Sequence, residues 1–160
     1  MISEELNAEM NKQIVEELQS GYIYMGMGAW AEEQGLHNLA NFMQIHAETE
    51  EFKHAMKFVK FIQEAGGKVE YGALEEITTA YKDVEELLNK AIAHEQHISA
   101  RIRVLQEVAD KNNDVYAQEL LMWFHEEQME EENLFEELMN LYELNNGRLG
   151  LFDHRVHHPE

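Results

Sequence analysis

Apolar residues recur at spacings of three, four and seven along four long stretches of the chain, the repeat of one face of an α-helix. Met10, Ile14, Gly21, Tyr24 and Gly28 mark the first, which runs from about Ser3, a candidate N-cap, to Gly35, a natural stop. Met43, Ala47, Phe58, Phe61, Ile62 and Ala65 mark the second, from about Asn38 to the Gly66-Gly67 pair. Leu88, Ala91, Ile98, Ile102 and Leu105 mark the third, which opens at Asp83, where DVEE matches a capping box with Glu86, and ends near Asn112. Leu120, Leu121, Phe124, Leu134, Phe135 and Leu138 mark the fourth, from about Asp114 to Asn145, ahead of Gly147. Helices of this length are roughly 40–50 Å long. A short fifth helix is expected over about 148–157.

The links between these stretches set the topology. Residues 36–37 and 112–114 are short, which makes the first and second helices, and the third and fourth, antiparallel neighbours. Residues 66–82 are long enough to run the length of a bundle. The fold class expected is therefore all-α, a four-helix bundle with one long crossover between helices two and three and a short C-terminal fifth helix. Composition agrees. The one proline, Pro159, lies outside the predicted helices, and 44% of residues are apolar, enough for a real core. A length of 160 residues favours one domain over 1–160.

Charge narrows the partners. Thirty-two acidic residues against 12 basic ones give a net charge of −20. Phosphate backbones and anionic membrane surfaces attract basic faces, so neither nucleic acid nor a membrane is expected. A cationic partner fits, and metal ions are the simplest. There is no cysteine, which excludes disulfides, thiolate metal sites and cysteine nucleophiles. No apolar run is long enough to cross a membrane, and the N-terminus MISEELNAEM is polar and acidic, unlike a signal peptide. A cytoplasmic location is the expectation.

The acidic residues also intrude where charge does not belong. Glu17 falls on the apolar stripe of the first helix, Glu51 and His54 on the second, Glu95 on the third, and Glu127, Gln128 and Glu131 on the fourth. An ionised carboxylate in a core is costly unless it is paired or neutralised. No lysine or arginine shares these stripes: Lys12, Lys53, Lys57, Lys90, Arg101 and Arg103 all fall off them. Cations remain. Glu17, Glu51, Glu95 and Glu131 together carry four negative charges, the balance for two divalent ions. Oxygen donors with one imidazole suit Fe(II) or Mn(II) better than a structural zinc.

At Glu17, the Glu51-Phe52-Lys53-His54 segment, Glu95 and the run Glu127-Gln128-Met129-Glu130-Glu131, the chain resembles the non-haem ferritins of bacteria and archaea. Gly35-Leu36, Trp123 and Gly150-Leu151-Phe152 extend the likeness over nearly the whole length. The resemblance implies a ferritin-like domain in a homo-oligomeric cage of 24 subunits. Such a protein oxidises Fe(II) with dioxygen or peroxide and stores a ferric mineral. It further implies that Glu17, Glu51 and His54 hold a first iron, and Glu51, Glu95 and Glu131 a second, with Glu51 bridging and Gln128 nearby. A third, transient site would use Glu50, Glu127 and Glu130, with Tyr24 beside the centre.

Three features depart from related patterns. The fourth helix carries Gln128-x-x-Glu131 where the di-iron bundle template has a second Glu-x-x-His. Phe52 stands where bacterioferritins carry a haem-binding methionine, so no haem is expected. Phe42 to Glu51 is one residue longer than in many ferritins, a surplus that either a π turn or a re-registered helix would absorb. His46, His94, His97 and His125 read as surface or interhelix residues, with an extra metal contact as the alternative. His154, His157 and His158 belong to a tail that is frayed or, by resemblance, lines a symmetry-axis channel. Trp123 reads as core packing. Two other readings stay open: a bacterioferritin- or mini-ferritin-like protein that detoxifies peroxide, and a metal-free acidic interaction module.

Overall fold

The structure is a computed structural model and describes residues 1–159. It contains α1 (Glu4–Glu33), α2 (His37–His46), α3 (Phe52–Glu64), α4 (Val84–Lys111), α5 (Val115–Leu144) and α6 (Leu149–Arg155). A π turn over Ala47–Glu51 joins α2 to α3, so these three segments make one continuous rod. The rods α1, α2–α3, α4 and α5 form the four-helix bundle. α1 packs along α2 and α3, α4 along α5, and the two pairs meet across α1 and α4, while α6 closes one end against α2 and α5.

The helix ends lie where the side chains can cap them. Ser3 Oγ accepts from the Leu6 N–H at 3.1 Å and starts α1. Asp83 Oδ1 accepts from the Glu86 N–H at 2.8 Å and starts α4. The Glu86 carboxylate reaches back to the Lys82 N–H, one residue beyond the partner a standard capping box uses. Asp114 Oδ1 accepts from the Ala117 N–H at 3.0 Å and starts α5. α1 and α3 stop at Gly35 and Gly66, both in the left-handed region at φ 76° and 77°.

α2 has no side-chain cap of its own, and a distant one replaces it. Asp153 of α6 accepts from the N–H groups of Asn38 at 3.2 Å and Leu39 at 2.8 Å, and its own carbonyl accepts from Asn38 Nδ2 at 2.9 Å.

The crossover 67–81 has no regular structure, yet several of its backbone polar groups are partnered. Side-chain amides on α1 read its peptide groups in pairs. Asn7 accepts from the Lys68 N–H and donates to the Lys68 carbonyl. Asn11 donates to the Lys68 carbonyl and accepts from the Glu70 N–H. Gln19 accepts from the Glu75 N–H and donates to its carbonyl.

Two apolar layers fill the bundle. One gathers Leu6, Met10, Ile14, Phe58, Ile62, Ile102, Leu105 and Phe124. The other gathers Met27, Leu39, Met43, Leu88, Ala91, Phe135 and Phe152. Between them, at mid-length, lies a layer of buried polar side chains. The π turn keeps this layer in register. Its i→i+5 bond, from the Phe52 N–H to the Ala47 carbonyl, absorbs the surplus residue, so α2 still turns Leu39, Phe42 and Met43 inward.

Two variants test these features. Deleting Glu48, an exposed residue of the π turn, restores the regular α repeat and leaves every buried position in place. Far-UV circular dichroism should be unchanged and stability altered by less than about 1 kcal/mol, the range of surface changes; a loss above about 3 kcal/mol would show that the π turn itself is required. Asp153→Ala removes the borrowed cap of α2 and should cost about 1 kcal/mol in urea unfolding, with Asp153→Asn close to wild type.

Candidate metal centre

The mid-bundle layer brings together side chains from all four rods. Glu17 comes from α1, His46 from the end of α2, Glu51 from the π turn, His54 from α3, Glu95 from α4, and Gln128 and Glu131 from α5. All are at most 3% exposed. Their donor atoms fall into three overlapping groups, each with one atom per residue and all atoms within 4.8 Å of one another: Glu17, Glu51 and His54; His46, Glu51, Glu95 and Glu131; and Glu50, His54, Glu127 and Glu131.

The spacing within these groups suits a shared cation. His54 Nδ1 lies 3.9 Å from Glu17 Oε2 and 3.8 Å from Glu51 Oε2. His54 Nε2 lies 3.6 Å from Glu50, 3.5 Å from Glu127 and 3.9 Å from Glu131. None of these is a hydrogen bond. Among the described residues, both His54 nitrogens, both Glu95 oxygens, Glu17 Oε2 and Glu131 Oε1 are buried without a hydrogen-bond partner. Orphaned buried polar atoms are rare and costly. Two donors each about 2.1 Å from one ion sit roughly 3–4 Å apart, which is the spacing seen here.

Neighbouring groups aim several of these side chains. Gln13 donates to Glu17 Oε1 at 3.0 Å and is itself held by Arg101 at 3.4 Å. Gln128 donates to the Glu95 carbonyl and to Ser99 Oγ, both at 3.3 Å. Tyr24 is fully buried, its ring stacked on Phe135 at 5.2 Å and edge-on to His46 at 5.1 Å. The Phe52 ring packs on the bare Cα of Gly21, where a Cβ would collide with it.

Burial and charge set the protonation of the layer. Burial, then the Glu51 carboxylate, raises Glu17 well above the usual range. Burial, then Glu131, does the same to Glu95, and burial with Glu51 raises Glu131. Burial opposes ionisation of Glu51 too, but the hydrogen bond from His46 and the nearby charge of His54 outweigh it and hold that carboxyl low. Burial would lower His46, yet Glu131 and Glu51 carry it up to about 10. His54 is raised well above its ordinary value by the carboxylates around it, against the opposing effect of burial. Burial, then the Glu95 carboxylate, raises the Tyr24 hydroxyl. In the metal-free state protons supply the positive charge that the layer lacks.

Several residues sit elsewhere than the sequence suggests. Glu130 is exposed and belongs to none of the three groups, because α5 turns it past the margin of the inner face. Trp123 is 36% exposed rather than core, with Lys57 Nζ 4.0 Å above its ring and the His54 ring in a T-shaped contact with it at 5.6 Å. His94 and His97, by contrast, are interhelix residues as the sequence suggests: His94 is half-buried and hydrogen-bonded to Ser20 of α1 at 2.6 Å, and His97 pairs with Glu16 of α1 at 2.9 Å.

His46 is the residue that a plain helical reading misses. It is fully buried, and its Nε2 lies 2.8 Å from Glu131 and 3.0 Å from Glu51. In an α-helix five residues turn through about 500°, which would set His46 on a different face from Glu51. The π turn returns it to the same face. The surplus residue between Phe42 and Glu51 was the available signal. His158 is likewise buried rather than frayed: its Nε2 meets His46 Nδ1 at 3.1 Å. Burial, then the neighbouring His46, lowers His158 to about 4.

Four rods that present carboxylates and imidazoles to a common interior define a metal-carboxylate helical bundle. Residues 7–145 match the ferritin-like domain, and the chain belongs to the ferritin family. It is 33% identical over 140 residues to a probable bacterial non-heme ferritin-like protein of Haemophilus influenzae, an alignment covering 88% of this chain and 84% of that one. It is 32% identical over 136 residues to the bacterial non-heme ferritin of Staphylococcus haemolyticus, covering 85% and 81%. Its fold superposes on an open pore ferritin from the hyperthermophilic archaeon Archaeoglobus fulgidus with a TM-score of 0.93 at 30% identity, covering 97% and 96% of the two chains. No helix among the described residues is long and apolar enough to cross a membrane.

The proton balance of the layer gives a testable pH dependence. Groups whose folded pKa is raised stabilise the fold at low pH and lose that effect as pH rises through the folded value. Glu17, Glu95, Glu131, His54 and His46 all act in this direction, the last up to about 10. Glu51 acts oppositely and is destabilised only on acidification. Metal-stripped protein should therefore melt at progressively lower temperature as pH rises from about 6.5, the free imidazole value, to 10. A saturating divalent cation should flatten that slope. A flat profile without metal would contradict the proton assignment.

Proposed function

We propose that this ferritin oxidises Fe(II) at a dinuclear centre in its mid-bundle layer and passes the Fe(III) to a stored mineral. The observation that carries this reading is the set of buried, unpartnered donor atoms on Glu17, His54, Glu95 and Glu131. Glu17, Glu51 and His54 hold one Fe(II). Glu51, Glu95 and Glu131 hold the other, with Glu51 shared between them and Gln128 fixing the adjoining backbone. Glu50 and Glu127, with His54 and Glu131, form a third, outer position through which iron leaves or arrives.

The chain supplies geometry and charge. Each bound Fe(II) gives up one electron. Together two electrons and two protons reduce dioxygen to hydrogen peroxide, or peroxide to two waters. Carboxylate donors favour the more highly charged Fe(III) and so lower the barrier to its formation. Binding displaces the protons that neutralise the layer, which places a supply of protons beside the oxidant. Tyr24, buried beside Glu95, keeps that side of the layer dry. A cage of 24 copies in the cytoplasm, each a single ferritin-like domain over 1–160, is the assembly in which the mineral collects.

The double variant Glu51→Ala/His54→Ala should abolish rapid Fe(II) oxidation, followed by absorbance of the ferric product, with at least a hundredfold loss of initial rate and an unchanged helical spectrum. Oxidation at the native rate would overturn the assignment. Native mass measurement should give a closed particle of 24 chains, and a monomer or dimer would exclude the cage.

A further inference from the structure

We propose that His46 is a metal ligand, its Nε2 completing the Glu51–Glu95–Glu131 position as a fourth donor while His158 holds the ring from behind. This deepens the dinuclear reading and rests on it.

Several independent features converge on His46. α5 offers no imidazole to the second position, since Gln128 and Glu131 stand where a Glu-x-x-His pair would. Without His46 that position has three carboxylates only. The π turn carries a histidine to it from the neighbouring rod, and Nε2 approaches Glu51 Oε1 and Glu131 Oε2 at 3.0 and 2.8 Å. Those are separations that neighbouring donors on one ion adopt. Glu95 completes the group, and both of its buried oxygens lack a hydrogen-bond partner among the described residues. The group is therefore short of a cation, and His46 Nε2 points into it.

The other ring nitrogen is already engaged. A ligating histidine donates its second N–H to an acceptor that fixes the tautomer and the ring. His46 Nδ1 lies 3.1 Å from His158 Nε2, which faces away from the carboxylates. With Nδ1–H donating to His158, loss of the Nε2 proton on metal binding leaves there the lone pair that a metal requires. Aromatic walls complete the holder: Phe42 lies parallel to the His46 ring at 6.3 Å, and Phe135 and Tyr24 meet it edge-on at 5.1 Å each. The ring is aimed at the Glu51–Glu95–Glu131 group with little freedom to turn away. Each position of the centre then contains one imidazole, His54 for one and His46 for the other.

Co(II) serves as the probe, because its visible spectrum reports nitrogen donors without any turnover. Metal-stripped whole protein is titrated with Co(II) and also crystallised and soaked in it. Anomalous scattering should place one ion against Glu17, Glu51 and His54 and a second bonded to His46 Nε2. His46→Gln should weaken the second ion at least about tenfold and shift the cobalt bands, leaving the first unchanged. His158→Ala, which leaves Nε2 in place, should weaken the same ion by about tenfold or less. A second cobalt ion bound with wild-type affinity and spectrum in His46→Gln would overturn the proposal, as would a wild-type crystal in which Nε2 stays hydrogen-bonded to carboxylate with the ion beyond bonding distance. Absence of cobalt from both positions of the wild type would instead overturn the dinuclear reading itself.

Discussion

Carboxylates cannot stay ionised inside a helical bundle without positive charge close by. This chain buries four of them at one level, Glu17, Glu51, Glu95 and Glu131, and spreads them over four separate rods. Much of the rest follows from that choice. The apolar stripes are interrupted at mid-length, so the core divides into two layers with a polar sheet of side chains between. Burial and mutual repulsion raise Glu17, Glu95 and Glu131, and the carboxylates raise His46 and His54, so the layer retains protons when nothing heavier is present. A site built this way is a receptor for positive charge of any kind, and its selectivity lies in how many donors it can bring to one ion.

Donor geometry is fixed by the rods and by neighbouring side chains that hold the donors in place. Arg101 steadies Gln13, and Gln13 steadies Glu17. Gln128 bonds the backbone of Glu95 and the hydroxyl of Ser99, tying α5 to α4 at the level of the centre. Such outer partners hold ligands ready at a spacing that suits an ion, so that little reorganisation accompanies binding.

The helices were legible from the sequence because their ends carry caps and their faces a clear repeat. Ser3, Asp83 and Asp114 start the helices that follow them, and the long 66–82 link forecasts the crossover. The carboxylate layer was legible for the same reason, since Glu17, Glu51, Glu95 and Glu131 break the stripes. His46 was not, because the 3.6-residue repeat fails across a π turn and no local rule says where the surplus residue is absorbed. His158 was not, because nothing in a tail reveals what it will meet. The stitching of the crossover by Asn7, Asn11 and Gln19 was equally hidden: an amide on a helix surface signals a hydrogen bond without naming its partner.

The cap that Asp153 lends to α2 spans 114 and 115 residues of sequence. A helix usually carries its own start signal within a few residues and can begin to form as soon as those are made. Here the start of the second rod is capped from α6 instead. α6 and the segment after it thus complete both the start of the second rod and the packing behind His46. Without those contacts the four rods keep their own packing, but the start of α2 loses its cap and the His46 ring loses its hydrogen-bond partner at Nδ1.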